Sequence, residues 1–286
     1  MRTPLRLAAT ITKFWIAQVA RGNSGASPLY RWVLQFGASK LVAVTDEAAI
    51  AGKHSIKSHL KKKAEGRAQA LRKAPFGSSP IVWLTGPAEL LDHSVTPGLA
   101  RWLQEGRRTV FVETDGSKLR RRIHEFRPDS RLYITIRLYG MAETHDALMQ
   151  KEGAFTQAME GMRTAQLSGF LICAHVIVEA TTELGEIDQL LRHLRALHVD
   201  GVVVTTSDET SGPGQKKVTA ARKLIGNSWW TKFSELAQKA LNALAHTDEA
   251  TVVASRANGA MGHRSTSSAI NMSRETAASG EEMAAQ

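Results

Sequence analysis

YITIRLYG, Tyr133–Gly140, runs directly into MAETHDALMQKEGAFTQAMEGMRTAQLS, Met141–Ser168. A β-branched run ends on a glycine, as a buried strand leaving a sheet does. A loop carrying His145-Asp146 follows. Gly153-x-Phe155 then opens a helix expected over Thr156–Ser168, stopped by Gly169. The same strand–loop–helix unit recurs to either side. Near-continuous Val/Ile/Leu runs predict strands at Ile81–Thr85, Thr109–Glu113, Leu132–Leu138, Phe170–Val178 and Gly201–Thr205, with an earlier strand at Leu29–Leu34 or Leu41–Val44. Between them, 3.6-residue periodicity predicts helices at Val95–Glu105, Ser117–Phe126, Glu186–Leu197 and Ser228–His246. Thr96 is the expected N-cap of the first of these, ahead of Pro97. Repeated βα units imply a parallel sheet with right-handed crossovers. About six units suit either an open (β/α)6 barrel or a doubly wound sheet.

The chain has 286 residues, 43% of them hydrophobic, enough for one substantial core. The expected organisation is an N-terminal amphipathic helix and turn over residues 1–28, an α/β barrel-like domain over 29–246, and a tail over 247–286. The tail is rich in Ala, Ser, Thr and charge and has no aromatic residue. It cannot bury enough surface to offset its chain entropy, so it is expected to be disordered.

Net charge is +10 and the calculated pI is 9.9. Much of the excess is local: Lys53, Lys57, Lys61, Lys62, Lys63, Arg67, Arg72 and Lys73 face one acidic residue, Glu65. Such a run is a solvated helix face or a contact for phosphate or anionic lipid. No aromatic residue interleaves it, which argues against nucleic acid. The N-terminal helix pairs apolar Leu7, Ile11, Phe14 and Trp15 with basic Arg2, Arg6, Lys13 and Arg21. It caps the barrel or lies on an anionic membrane surface. No apolar run reaches the roughly 18 residues of a membrane span. One cysteine, Cys173, sits in the apolar run FLICAHVIV and reads as a small buried hydrophobe. The absence of cysteine pairs fits a reducing cytosol, and the expected location is cytoplasmic or peripheral at the inner membrane face.

The strand ending in Gly140, the His145-Asp146 pair and Gly153-x-Phe155 together resemble the middle of radical S-adenosylmethionine (SAM) enzymes, above all the subgroup that adenosylates hopene in hopanoid synthesis. The lead-in PLRLAATITKFWIAQVARGN is similar to that subgroup's first helix. The resemblance implies an open (β/α)6 TIM-type barrel. It places the family's cluster loop in Val33–Val44, which reads VLQFGASKLVAV and has no thiol. Three thiolates are needed to hold a site-differentiated [4Fe–4S] cluster, so no cluster and no radical chemistry are expected. The family's G-G-E-P turn corresponds to Thr85-Gly86-Pro87-Ala88-Glu89, where Glu89 stands one position beyond the family's acid. The family's T-N-G corresponds to Thr114-Asp115-Gly116, and its L-D-G to Leu138-Tyr139-Gly140.

Sites in such barrels lie at the C-terminal rim of the strands. The ligand-binding candidates are therefore Gly86, Glu89, Glu113, Asp115, Arg137, Tyr139, His145 and Thr205. The expectation is a ligand-binding or regulatory protein with no resident cofactor. Its ligand would be a small molecule or lipid precursor, with SAM itself as a weaker option. An enzyme using Glu113, Asp115 and His145 as acid–base groups is one alternative. A peripheral membrane or polyanion binder acting through Lys53–Lys73 is another. His54 and His59 lie in the Lys-rich stretch and read as solvated. The Gly/Ser segment at 206–217 lacks phosphate-loop spacing and reads as a connection.

Overall fold

A computed structural model describes residues 3–22, 25–37, 40–43, 77–86, 89–207, 213–240 and 242. The basic run Lys53–Lys73, His54 and His59, the positions Pro87-Ala88 and the tail lie outside the described residues.

Seven strands form one sheet in the order β2-β1-β3-β4-β5-β6-β7. β1 is Leu29–Gly37 and β2 is Lys40–Ala43. β3, β4, β5, β6 and β7 are Ile81–Thr85, Thr109–Thr114, Leu132–Leu138, Leu171–Ile177 and Gly201–Thr205. β1 and β3 to β7 are parallel; β2 runs antiparallel to β1, pairing Gly37 with Lys40. Both stretches named for the earlier strand are strands, joined as a hairpin. The order of the parallel strands never reverses along the sheet. A doubly wound sheet must reverse at a switch point; this one does not. Crossovers of one hand then stack the connecting helices on one face, and the sheet curls into an open half-barrel.

The helices are α1 Leu5–Ala20, α2 Thr96–Glu105, α3 Leu119–Arg122, α4 Ala142–Met149, α5 Ala154–Leu167, α6 Leu184–Ala196 and α7 Pro213–Leu224. A last helix, α8, spans residues 228–240. Two expectations need correcting. His145-Asp146 lies on α4 rather than in a loop, because the Asp146 carboxylate ties α4 to the start of α5 and makes a compact corner. Residues 213–224 are helical rather than part of a connection, because Val218 and Ala221 dock α7 onto the core. A third, smaller correction is that Thr96 begins α2 instead of capping it. Its hydroxyl donates to the Leu90 carbonyl at 2.7 Å.

The inner face of the sheet changes character along the strands. At the level of Trp83, Phe111 and Tyr133 it is aromatic, with ring centroids 5.4 and 4.6 Å apart. One pleat repeat further on it carries Thr85, Glu113, Thr135 and Cys173, because alternate residues of a strand share a face. Beyond these lie Arg137 and His175. An open half-barrel leaves this face uncovered, and α8 plugs the aromatic end. Phe233 stacks on Phe111 at 5.5 Å and Trp230 meets Tyr133 at 6.5 Å. Gly201 makes that approach feasible, since a Cβ there would lie 2.1 Å from the Trp230 ring.

Candidate functional site

Glu113 is the hub of the polar end. Its side chain is 2% exposed, and both carboxylate oxygens are used. Oε2 accepts from Trp83 Nε1 at 2.8 Å and meets His175 Nδ1 at 3.1 Å. Oε1 accepts from the Thr85 hydroxyl at 3.1 Å and lies 3.7 Å from Arg137 Nη1. Burial alone would push this carboxyl up. The His175 contact and the guanidinium charges of Arg31 and Arg137 outweigh burial and hold it well below the usual carboxylate range.

An ionised carboxylate only accepts, so the His175 Nδ1–H is the donor. Nε2 shares a 2.7 Å hydrogen bond with the Thr205 hydroxyl. Burial lowers the His175 pKa, the Glu113 contact raises it, and the nearby guanidinium charges lower it further. Arg31 and Arg137 are the two permanent cations that face the Glu113 anion.

Their donors are only partly used. Arg31 Nη2 donates to Thr85 Oγ1 at a long 3.4 Å, while its Nε and Nη1 are buried with no partner. Arg137 Nε is likewise buried and unpaired, as is the Thr135 hydroxyl. Thr135 is two residues from Arg137 on one strand and so shares its face. The inner face thus gathers four of the five orphaned buried side-chain atoms found among the described residues. A narrow crevice beside Arg31 is lined by Leu29, Arg31, Trp83, His175, Thr205, Ala237 and Ala240.

Of the residues singled out from sequence, Glu113, Arg137 and Thr205 belong to this one network. Tyr139, half-buried at the next turn of the rim, is close enough to feel the charges of Arg137, Glu113 and Arg31; burial raises its pKa. Gly86 directly follows β3. Glu89 and Asp115 form a separate pair. Glu89 accepts from Thr114 Oγ1 at 2.7 Å, Asp115 N at 2.7 Å and Leu91 N at 3.0 Å. Burial and the Asp115 charge raise its pKa to about 7. Asp115 Oδ1 accepts from Ser117 N at 2.8 Å rather than meeting Arg137.

His145 is wholly buried and accepts a 3.3 Å hydrogen bond from Tyr139 N. Asp146 accepts from Gly153 N at 2.6 Å and Phe155 N at 2.7 Å. Gly153, at φ +73°, turns the chain so that these donors converge. The pair therefore joins α4, α5 and the end of β5.

Sequence reading missed Arg31, Trp83, Thr85 and His175. The signal was present: a charged or polar residue at an inward position of an apolar strand, as in LYRWVLQF and FLICAHVIV, has no reason to be there unless something pairs with it. Among the described residues no three His, Cys, Asp or Glu side chains group as a metal site, and no helix is long and apolar enough to cross a membrane.

Fold and site together define an open (β/α)6 half-barrel with a buried charged cluster in its mouth. No family model matches the sequence, and no curated protein does. Among solved structures, the chain is similar to an archaeal TYW1 at a TM-score of 0.42 and 13% identity, over 70% of this chain and 69% of that one. It is also similar to TYW1 with a lysine-pyruvate adduct bound, at 0.39 and 14%, over 70% and 71%.

Proposed function

We propose that this chain is a non-radical relative of the radical SAM barrels that binds a small polar ligand in the mouth of the half-barrel. The observation that carries the reading is the convergence of Arg31, Arg137, His175 and Thr205 around Glu113, with Arg31, His175 and Thr205 lining a narrow crevice beside it. Two features speak for the non-radical part. The segment that the sequence resemblance assigns to a cluster loop folds as the β1–β2 hairpin instead. The single thiol, Cys173, is fully buried in β6 with its pKa pushed up by burial. One buried thiol does not fit a [4Fe–4S] cluster, which needs three thiolates. Nor does the rim fit SAM in the family's manner, because both oxygens of Glu89 are already taken by Thr114, Asp115 and Leu91.

The hopanoid setting rests on the sequence resemblance alone. A narrow crevice lined by arginine and histidine suits a charged molecule better than a polycyclic lipid. To test the reading, the full-length protein is incubated with a metabolite extract, recovered and analysed for retained small molecules. A retained compound lost in Arg137→Leu supports it. Retention of nothing, or retention indifferent to that change, overturns it. For the non-radical part, anaerobic reconstitution with iron and sulfide should leave no stoichiometric [4Fe–4S] absorbance; a cluster abolished by Cys173→Ala would refute it.

A second reading, peripheral membrane binding, has its own observation. α1 docks through Leu7, Phe14 and Gln18, yet its other side exposes Leu5, Ile16 and Val19 at 79, 65 and 80% and Trp15 at 38%. Basic Arg6 and Lys13 lie beside that stripe, as in helices that sit in an anionic interface. Anionic vesicles should shift Trp15 fluorescence to the blue, with Ile16→Asp and Val19→Asp abolishing the shift. An unchanged spectrum in the wild-type protein would dismiss this reading.

A further inference from the structure

We infer that the polar inner face around Glu113 is an oxyanion site: Arg31 and Arg137 hold the carboxylate or phosphate group of the ligand, and Glu113 sets their positions without touching it. The inference rests on the mouth being a ligand site, and it names the chemistry that the site selects.

The first argument is charge. Two guanidinium cations face one carboxylate, so the cluster carries at least one uncompensated positive charge in a largely desolvated place. Arginine does not shed its proton in proteins, so neutralisation must come from an anion. Taking an unpaired charge out of water is costly, and a bound anion removes that cost.

The second argument is the donor inventory. Arg31 Nε, Arg31 Nη1, Arg137 Nε and the Thr135 hydroxyl are buried and unpartnered. Three of the four can only donate, so what completes them is an acceptor. Glu113 cannot serve, because Trp83, Thr85, His175 and Arg137 already surround both its oxygens. It is a positioning residue: it fixes Arg137 through the 3.7 Å ion pair and Arg31 indirectly, through the shared Thr85 hydroxyl. Several buried guanidinium donors with one missing acceptor match a carboxylate or a phosphate, whose oxygens accept several N–H bonds at once.

The third argument is access. Arg31 lines a narrow crevice together with Ala237 and Ala240 of α8, so small side chains face the guanidinium there. The aromatic plug below, Trp83 with Phe111 and Phe233, closes the far end. The oxyanion therefore enters from the strand ends, where the Arg137 side chain is 18% exposed.

The test uses the full-length protein with inorganic phosphate in one arm and acetate in the other, sodium chloride at matched ionic strength serving as the screening control. Trp83 hydrogen-bonds Glu113, so tryptophan fluorescence reports on the cluster, and the melting temperature reports binding independently. One of the two anions should raise the melting temperature and saturate the fluorescence change, and the arm that responds identifies phosphate or carboxylate as the group bound. Arg31→Gln and Arg137→Gln should each weaken that response roughly tenfold or more, with Arg101→Gln on the exposed side of α2 as the unaffected control. If a Gln variant does not fold, Arg31→Lys and Arg137→Lys replace it; keeping charge while losing the guanidinium geometry, they should weaken binding as well. No response to either anion beyond the chloride control overturns the oxyanion assignment, as does a response that the arginine variants leave intact. A metabolite retained through Arg137 without any phosphate or acetate response would sink this inference alone. Failure of both experiments would sink the ligand-site reading with it.

Discussion

Arg137 and Glu113 show how single residues set the character of the mouth. Removing the guanidinium leaves a 2%-exposed carboxylate with one cation fewer, whereas Arg101 projects into solvent from α2. Arg137→Leu should cost about 2 kcal/mol and Arg101→Leu within about 0.5 kcal/mol, read as urea midpoints at constant m-value. Equal small effects would mean that Arg137 is solvated. Glu89 gives the opposite case, a carboxyl whose folded pKa of about 7 lies above its ordinary 4.5. The folded state then binds more protons than the unfolded one between those values, so this group's contribution is full below pH 4.5 and is lost as pH rises to about 7. A carboxyl ¹³C titration assigned with Glu89→Gln should show a group titrating near neutrality. A midpoint in the ordinary carboxylate range would remove Asp115 and burial as the causes.

At the scale of elements, β7 is the edge of the sheet and would expose a row of unpaired backbone groups. Side chains cover it in place of another strand. The Ser234 hydroxyl accepts from Val204 N at 3.0 Å, and the Gln238 amide meets Thr206 N at 2.8 Å and Thr206 O at 3.0 Å. Arg222 of α7 donates to the Val204 carbonyl at 3.0 Å. Gln238→Leu keeps the volume but leaves two backbone groups of the edge unsatisfied, so it should cost about 2 kcal/mol or more and speed amide exchange at Thr206. Exchange at Thr206 unchanged from wild type would show the edge to be covered by other means. These ties explain why some elements were legible in the sequence and others were not. Leu132–Leu138 and Gly201–Thr205 were read to the residue because each is a β-branched run buried on both faces. The helical state of Ala142–Met149 was not, because it depends on Asp146 reaching the start of α5 and Glu186 of α6 accepting from Met141 N. Neither contact has a local signature.

For the whole molecule, the count of βα units was legible, but the choice of half-barrel over doubly wound sheet rested on resemblance until the strand order supplied a direct reason. The site was half-legible for a related cause. Strand ends announce themselves, whereas Arg31 and His175 become partners of Glu113 only once β1, β4 and β6 curl around one face. A curled sheet that does not close must be sealed, and α8 seals it with Trp230 at 0% and Phe233 at 1% exposure. That helix was readable at 228–246 as an amphipathic segment, but nothing local said that it enters the concave side. The double variant Trp230→Ala/Phe233→Ala tests the arrangement. Each truncation in a packed core costs about 3–5 kcal/mol, and together they approach the whole stability of an ordinary domain, about 5–15 kcal/mol. The variant should keep its far-ultraviolet circular dichroism, bind a hydrophobic dye at the uncovered Phe111–Tyr133 face, and lose its cooperative melt. A sharp melt without dye binding would mean that α8 does not seal the half-barrel and that the crevice beside Ala237 and Ala240 is not enclosed by this helix.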